Sequence, residues 1–191
     1  MIVKTIGVLA LQGDFAKHID MLKTLGVNTI EVRKATDLDL CDGLIIPGGE
    51  STVMLLQLDF IGMRESLKKF IKIKPVFGTC AGLILLSNDI QASSMTPLAV
   101  LDVSVERNAF GRQIDSFETD LEVSLSQGQL QTLPVFFIRA PRIRRIGSNV
   151  VVLAIYQGEP VLVRQGNILG ASFHPELTNC NVIHKFFVDM A

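Results

Sequence analysis

Cysteine is scarce: the 191-residue chain has three, Cys41, Cys80 and Cys180, widely spaced and without a Cys-x-x-Cys pair. So odd and scattered a set argues against a disulfide framework or a zinc cluster. It fits a reducing compartment, and the expected location is cytoplasmic. Net charge is nearly absent too, with 18 basic against 19 acidic side chains. That removes any global electrostatic case for nucleic acid or an anionic membrane. No apolar run approaches the roughly 18 residues a bilayer-spanning helix needs. Internal repeats, low-complexity tracts and Pro/Ser-rich linkers are missing as well. Residues 1–191 are therefore expected to form a single domain, long enough for a core of its own.

What is abundant is apolar. Hydrophobic residues make up 48% and charged residues 19%, with a mean hydropathy of +0.39. This suits a sheet buried on both faces, whose strands read as continuous Val/Ile/Leu runs. It also leaves room for an apolar surface that a partner covers. The first fifteen residues hold one early Lys and then an apolar run, superficially like a signal peptide. They lack a small-residue cleavage site and end at Gln12-Gly13-Asp14, so a first strand is the expectation.

The first half alternates. Strands are expected at residues 2–11, 28–33, 43–46 and 75–78, and helices at 15–25 (Ile19, Leu22 and Leu25 on one face), 63–71 and 81–86. Such alternation implies βαβ units, with helices on both faces of a mostly parallel open sheet. The second half is richer in strands, at 98–105, 117–125, 135–138, 150–155, 160–164 and 168–173, which adds an antiparallel portion. A helix over 181–190 closes the chain, with Val182, Ile183, Phe186, Phe187 and Met190 as its apolar stripe. The class is α/β, and ligands in such sheets sit at the carboxyl ends of the strands.

The strongest chemical signal is Gly78-Thr79-Cys80-Ala81-Gly82, between a short apolar strand and an apolar helix. This is a nucleophile elbow with Cys in place of Ser. Its glycines permit a tight turn that pushes the side chain into the open, and the helix after it favours the thiolate. A cysteine nucleophile needs a base, and three histidines are available. His18, within the first helix, and His184, on the expected polar side of the last, read as surface or packing residues. His174 differs. It comes after an apolar strand in Phe173-His174-Pro175-Glu176, where Pro175 holds the chain extended and Glu176 can orient the imidazole. The third element is Pro47-Gly48-Gly49-Glu50-Ser51-Thr52, directly after a strand. Its glycines let backbone amides approach a ligand, with Ser51 or Thr52 expected to cap the next helix. An acyl-transfer oxyanion needs such donors, and the Ala81 and Gly49 amides are the candidates. The one basic cluster, Arg139, Arg142, Arg144 and Arg145, has no interleaved aromatics and reads as a solvated or partner-facing strip rather than a nucleic-acid site.

Together these stretches resemble the class I (triad) glutamine amidotransferases, flavodoxin-like in fold. The finer resemblance is to the glutaminase subunits of pyridoxal 5'-phosphate synthase (the PdxT/SNO family). It rests on Leu11-Gln12-Gly13-Asp14 with His18, on the 47–52 and 78–82 segments, and on Val105-Glu106-Arg107-Asn108-Ala109-Phe110-Gly111-Arg112-Gln113. Ser116-Phe117-Glu118, Phe137-Ile138-Arg139-Ala140-Pro141 and Phe173-His174-Pro175-Glu176-Leu177 complete it, so it spans essentially the whole chain.

The resemblance implies a Cys80, His174, Glu176 triad. It implies L-glutamine contacts at Gly49, Glu50, Ser51, Arg107, Ile138 and Arg139. Which arginine meets the α-carboxylate stays open. Gln12 matches a family position near the oxyanion hole and the partner interface. The resemblance further implies hydrolysis of glutamine without metal or organic cofactor, ammonia passing to a docked synthase subunit, and a free glutaminase that is weak until docking. The alternatives are a glutaminase serving another pathway, such as histidine or purine synthesis, a PfpI-like cysteine protein on a related sheet, and a catalytically dead scaffolding subunit. At the edges, Val53, Met54, Leu55 and Leu56 are more apolar than the family pattern suggests.

Overall fold

Short Val/Ile/Leu runs become parallel strands here because both of their faces are covered. In the computed structural model, which describes residues 3–107, 116–126 and 129–191, β1 (Thr5–Leu9) lies between β2 (Asn28–Val32) and β3 (Gly43–Ile46). β3 then pairs with β4 (Val76–Thr79), and β4 with β12 (Ile168–Ala171), all in parallel. Along each strand side chains alternate between two cores, as the period of two requires. Leu44, Ile46 and Val76 join the core under α2 (Ser51–Phe60), α3 (Arg64–Ile71) and α4 (Ala81–Leu86). Ile45, Phe77 and Leu169 join the core under α1 (Phe15–Lys23) and α5 (Val182–Met190). Helices therefore cover both faces, as the alternating pattern predicts.

Beyond β12 the sheet turns antiparallel through β11 (Glu159–Gln165), β10 (Val151–Tyr156), β7 (Ser116–Ser126) and β8 (Gln129–Ile138), making nine strands among the described residues. A second sheet of three strands joins β5 (Ser87–Ile90), β6 (Leu101–Glu106) and β9 (Arg142–Ile146). The α/β class with an antiparallel addition holds. The apolar N-terminal segment is a strand within the parallel core. Among the described residues, no helix is long and apolar enough to cross a membrane.

Three details differ from the sequence reading. β8 begins six residues before the expected 135, in the mixed stretch Gln129–Pro134, because an edge strand tolerates interspersed polar residues and a proline that a central strand would not. β5 and β9 are strands that the sequence pattern does not predict, and β9 holds three of the four arginines of the basic cluster, Arg142, Arg144 and Arg145. Its arginines are paired: Arg142 and Arg144 with Glu159, Arg144 also with Glu106, and Arg145 with Asp102. The third difference is the buried stripe of α5, which is Ile183, His184, Phe187 and Val188, one residue round from the expected one.

Along α2, Met54, Leu55 and Leu58 face the core, while Leu56 and Phe60 stay 64% and 91% exposed. The apolar run noted in the sequence thus supplies a core face and an uncovered strip together.

Candidate active site

Four parallel strands end at one edge, and the segments leaving them build the site. After β4 the chain turns through Cys80 with φ of 48°, a conformation that L-residues rarely adopt. The Cys80 amide is tied to the Ala171 carbonyl of β12 at 2.8 Å, which fixes the elbow to the sheet. Gly82 is required by space, because a Cβ there would overlap the Ile46 carbonyl. Ala81 N–H is the first amide of α4, where no carbonyl of that helix can accept from it.

After β12, Phe173 is fully buried against Phe137, with ring centroids 5.7 Å apart. Burying such a side chain contributes roughly 2–3 kcal/mol, and it anchors the residue beside it. The next residue, His174, donates its backbone N–H to the Phe136 carbonyl at 2.7 Å. Its Nδ1 lies 2.7 Å from Glu176 Oε1; the expected contact forms, but the chain reaches it through a short 3-10 turn at Pro175–Leu177 rather than by staying extended. Burial opposes a charged imidazole, but the side chains of Cys80 and then Glu176 outweigh it and raise the His174 pKa. Burial would also raise the Glu176 carboxyl, but the facing His18 and His174 hold it well below the usual carboxylate range.

After β3, the Pro47-Gly48-Gly49 turn passes so close to the imidazole that a Cβ on Gly48 would overlap Cε1 of His174. Glu50, not Ser51 or Thr52, caps α2. Its carboxylate accepts from Thr52 N–H at 3.3 Å and Val53 N–H at 3.0 Å, because its longer side chain can fold back over the first turn. Arg107 Nη2 reaches Glu50 Oε1 at 2.9 Å and Nη1 reaches Thr52 Oγ1 at 3.2 Å. Gln12, after β1, accepts the Glu50 N–H at 2.7 Å.

Eight of the ten residues singled out in the sequence line one cavity of about 340 Å³: Gly49, Glu50, Ser51, Cys80, Arg107, Ile138, Arg139 and His174. Gln12 lines it as well. Glu176 sits behind His174, and Ala81 leads from Cys80 into α4. Residues 108–113, the rest of the segment that begins at Val105, lie outside the described residues.

Of the two readings given for His18 and His184, surface or packing, the structure shows the second: both are fully buried, and His184 lies on the buried side of α5 rather than the expected polar one. His18 Nδ1 is 2.9 Å from His184 Nε2, and His18 Nε2 is 3.2 Å from Thr79 Oγ1 and 3.4 Å from Glu176 Oε2. The signal for His18 is its spacing from Phe15 and Leu22, three and four residues away on the buried side of α1. His184 is one residue from the stripe expected for α5.

Burial pushes the His184 pKa down to about 3, with His18 lowering it further and Glu176 opposing. An unfolded histidine titrates near pH ~6.5. Below that pH the unfolded chain therefore binds a proton the folded chain refuses, and stability is lost as pH falls towards about 3. Glu176, depressed in the fold, adds a loss below its unfolded value near pH ~4.3. Urea unfolding should give a free energy that falls by about 1 kcal/mol per pH unit between roughly pH 6.5 and 5. The slope should flatten in His184→Gln. A wild-type profile that is level over that interval would contradict the assignment.

Comparison with known proteins agrees with this architecture. The family model described as the SNO glutamine amidotransferase family matches residues 8–191. The chain is 52% identical over 186 residues to the pyridoxal 5'-phosphate synthase subunit PdxT of Thermosipho africanus, covering 97% of each. It is 49% identical over 187 residues to the same-named subunit of Thermotoga maritima, covering 97% of this chain and 98% of that one. A solved structure described as a glutamine amidotransferase superposes with a TM-score of 0.91 at 46% identity, over 97% of both chains. PurLQS from Thermotoga maritima shares the fold alone, with a TM-score of 0.71 at 17% identity over 98% of this chain and 99% of that one. Matched by the family model over nearly its whole length, and about half identical to full-length relatives, the chain belongs to the SNO glutamine amidotransferase family.

Proposed function

We propose that this chain is the glutaminase subunit of a pyridoxal 5'-phosphate synthase, working as one domain over residues 1–191. One observation carries the chemistry: an elbow cysteine shares a cavity with a histidine whose Nδ1 is held 2.7 Å from a buried carboxylate. Support for the pathway comes from the same-named relatives and their near-complete coverage.

In this mechanism the Cys80 thiolate attacks the side-chain amide carbon of glutamine. The carbonyl oxygen becomes an oxyanion facing the Ala81 and Gly49 amides, donors fixed before the charge develops. The C–N bond breaks as His174 gives its proton to the leaving nitrogen, which departs as ammonia and leaves a glutamyl thioester. His174 then takes a proton from water, the hydroxide adds to the thioester, and glutamate leaves as the thiolate returns. Glu176 keeps the imidazole aimed throughout. Glu50, Ser51, Ile138 and Arg139 surround the amino-acid end of the substrate.

Between the two arginines, the geometry favours Arg139 for the α-carboxylate. Arg107 is already engaged by Glu50 and Thr52, and its role is to brace the 47–52 turn. Ammonia released into bulk water would become ammonium, which is not a nucleophile, so the subunit works docked on its synthase. A free-thiol nucleophile suits the cytoplasm, where it stays reduced.

The experiment is glutamate release by the purified chain, alone and with a pyridoxal 5'-phosphate synthase subunit. Strong stimulation by that subunit is expected. Hydrolysis indifferent to it would keep the amidotransferase and replace the pathway. No hydrolysis in either condition would remove the function.

A further inference from the structure

A buried carboxylate oxygen normally has a hydrogen-bond partner, because leaving it dry and unpaired costs on the order of 1–3 kcal/mol or more. Glu176 Oε1 has His174. Glu176 Oε2 has no conventional hydrogen bond among the described residues, and the side chain is wholly inaccessible. Facing it at 3.4 Å is Nε2 of His18, equally inaccessible, on a helix with no other part in the site. We propose that His18 is a positioning residue for the reaction: it anchors the second oxygen of Glu176, so that the carboxylate is gripped from both sides and its first oxygen stays on His174. This rests on Glu176 being the orienting carboxylate of the mechanism above.

The proton positions are set by the neighbours. An ionised carboxylate offers only lone pairs, so Nε2 of His18 must carry hydrogen to sit beside it without repulsion. The Thr79 hydroxyl, 3.2 Å away, then accepts from the same N–H. With Nε2 protonated, a neutral His18 accepts at Nδ1, and His184 donates from its Nε2 across the 2.9 Å contact. That leaves Nδ1 of His184 as a bare lone pair, and it is indeed a buried atom without a partner. A lone pair is the less costly atom to leave dry than an N–H. Burial, which keeps His184 uncharged, agrees with this arrangement. The chain His184–His18–Glu176–His174 thus runs from α5 through α1 to the base, each member set by the one behind it.

A purely space-filling His18 would predict something different, and two isosteric replacements separate the cases. Asparagine places its amide near the imidazole Nδ1 and keeps the contact with His184. Glutamine reaches the Nε2 position and keeps the contact with Glu176. Two readouts are taken for wild type, His18→Asn, His18→Gln, Glu176→Gln and the double variant His18→Asn/Glu176→Gln. One is kcat and KM for glutamine with the synthase subunit present. The other is the rate of iodoacetamide alkylation at Cys80, tracked by mass spectrometry of its peptide.

His18→Asn is expected to lower kcat and the alkylation rate about tenfold with KM within about twofold, since a base held loosely loses rate rather than affinity. His18→Gln should retain most of both. In the Glu176→Gln background, His18→Asn should add no further loss, because the two residues act as one unit. The reverse pattern, with Asn tolerated and Gln impaired, would overturn the proposal. So would an equal loss from His18→Asn in both backgrounds. If wild type hydrolysed no glutamine with the synthase, the parent reading would fall, and the alkylation arm would still decide whether His18 acts on Cys80 through Glu176.

Discussion

Replacing Cys80 by Ala should lower glutamine hydrolysis by at least about 10³-fold while leaving the fold and the partner's ammonia-driven synthesis intact. The size comes from the mechanism: without the sulfur no thioester forms, and the cavity retains only donors and a base. The fold should survive because the elbow is held by its backbone, through the 2.8 Å bond from the residue-80 amide to Ala171 and the close contact of Gly82 with the Ile46 carbonyl. Alanine must still adopt φ of 48°, which cysteine already tolerates, so the melting temperature should move by no more than a few degrees. The assay pairs the variant with a synthase subunit and supplies either glutamine or an ammonium salt at alkaline pH. Product from ammonium but not from glutamine is the expected result. Glutaminase turnover surviving in Cys80→Ala would end the triad assignment.

The second large effect comes from a residue that performs no chemistry. A Cβ on Gly48 would overlap Cε1 of His174 and stand 3.1 and 3.3 Å from its two nitrogens. The imidazole cannot retreat, because Glu176 holds Nδ1 and the backbone amide is bonded to Phe136. Gly48→Ala should therefore tilt the ring away from Cys80. A displacement of about 1 Å costs roughly 10²-fold in rate. The loss should lie in kcat and in Cys80 alkylation, with little change in urea midpoint. An active Gly48→Ala enzyme would mean that the turn yields more readily than the ring.

How much of the molecule is legible in its sequence depends on whether the signal is local. The βαβ half can be read because its strands are short, apolar and bounded by glycine and proline. The elbow and the His-Pro-Glu segment can be read because their geometry is set within five residues. β5 and β9 escape such reading, and β9 reads Arg142-Ile143-Arg144-Arg145-Ile146, three arginines whose charge is neutralised by acidic residues on other segments. Propensity assigns the cap of α2 to Ser51 or Thr52, and Glu50 displaces them through its reach. His18 and His184 sit 166 positions apart. Each looks unexceptional in its own helix, and no local pattern could join them. Tertiary packing of α1 against α5 makes them a pair.

Under the proposed assignment, strand β8 serves both ends of the substrate at once. Its last residue, Ile138, and Arg139 just beyond its end line the cavity, its Phe136 carbonyl holds the base, and its Ile138 carbonyl lies 3.9 Å from the nucleophile's sulfur. Whatever tightens around the substrate's amino-acid end also pulls on the parts that react. Under the proposed assignment, amides that lack the α-ammonium or α-carboxylate should occupy the cavity yet fail to turn over. Discrimination would then be exercised in the speed of the reaction rather than the strength of binding, and the enzyme would spare the many other amides of the cell by leaving them unreacted.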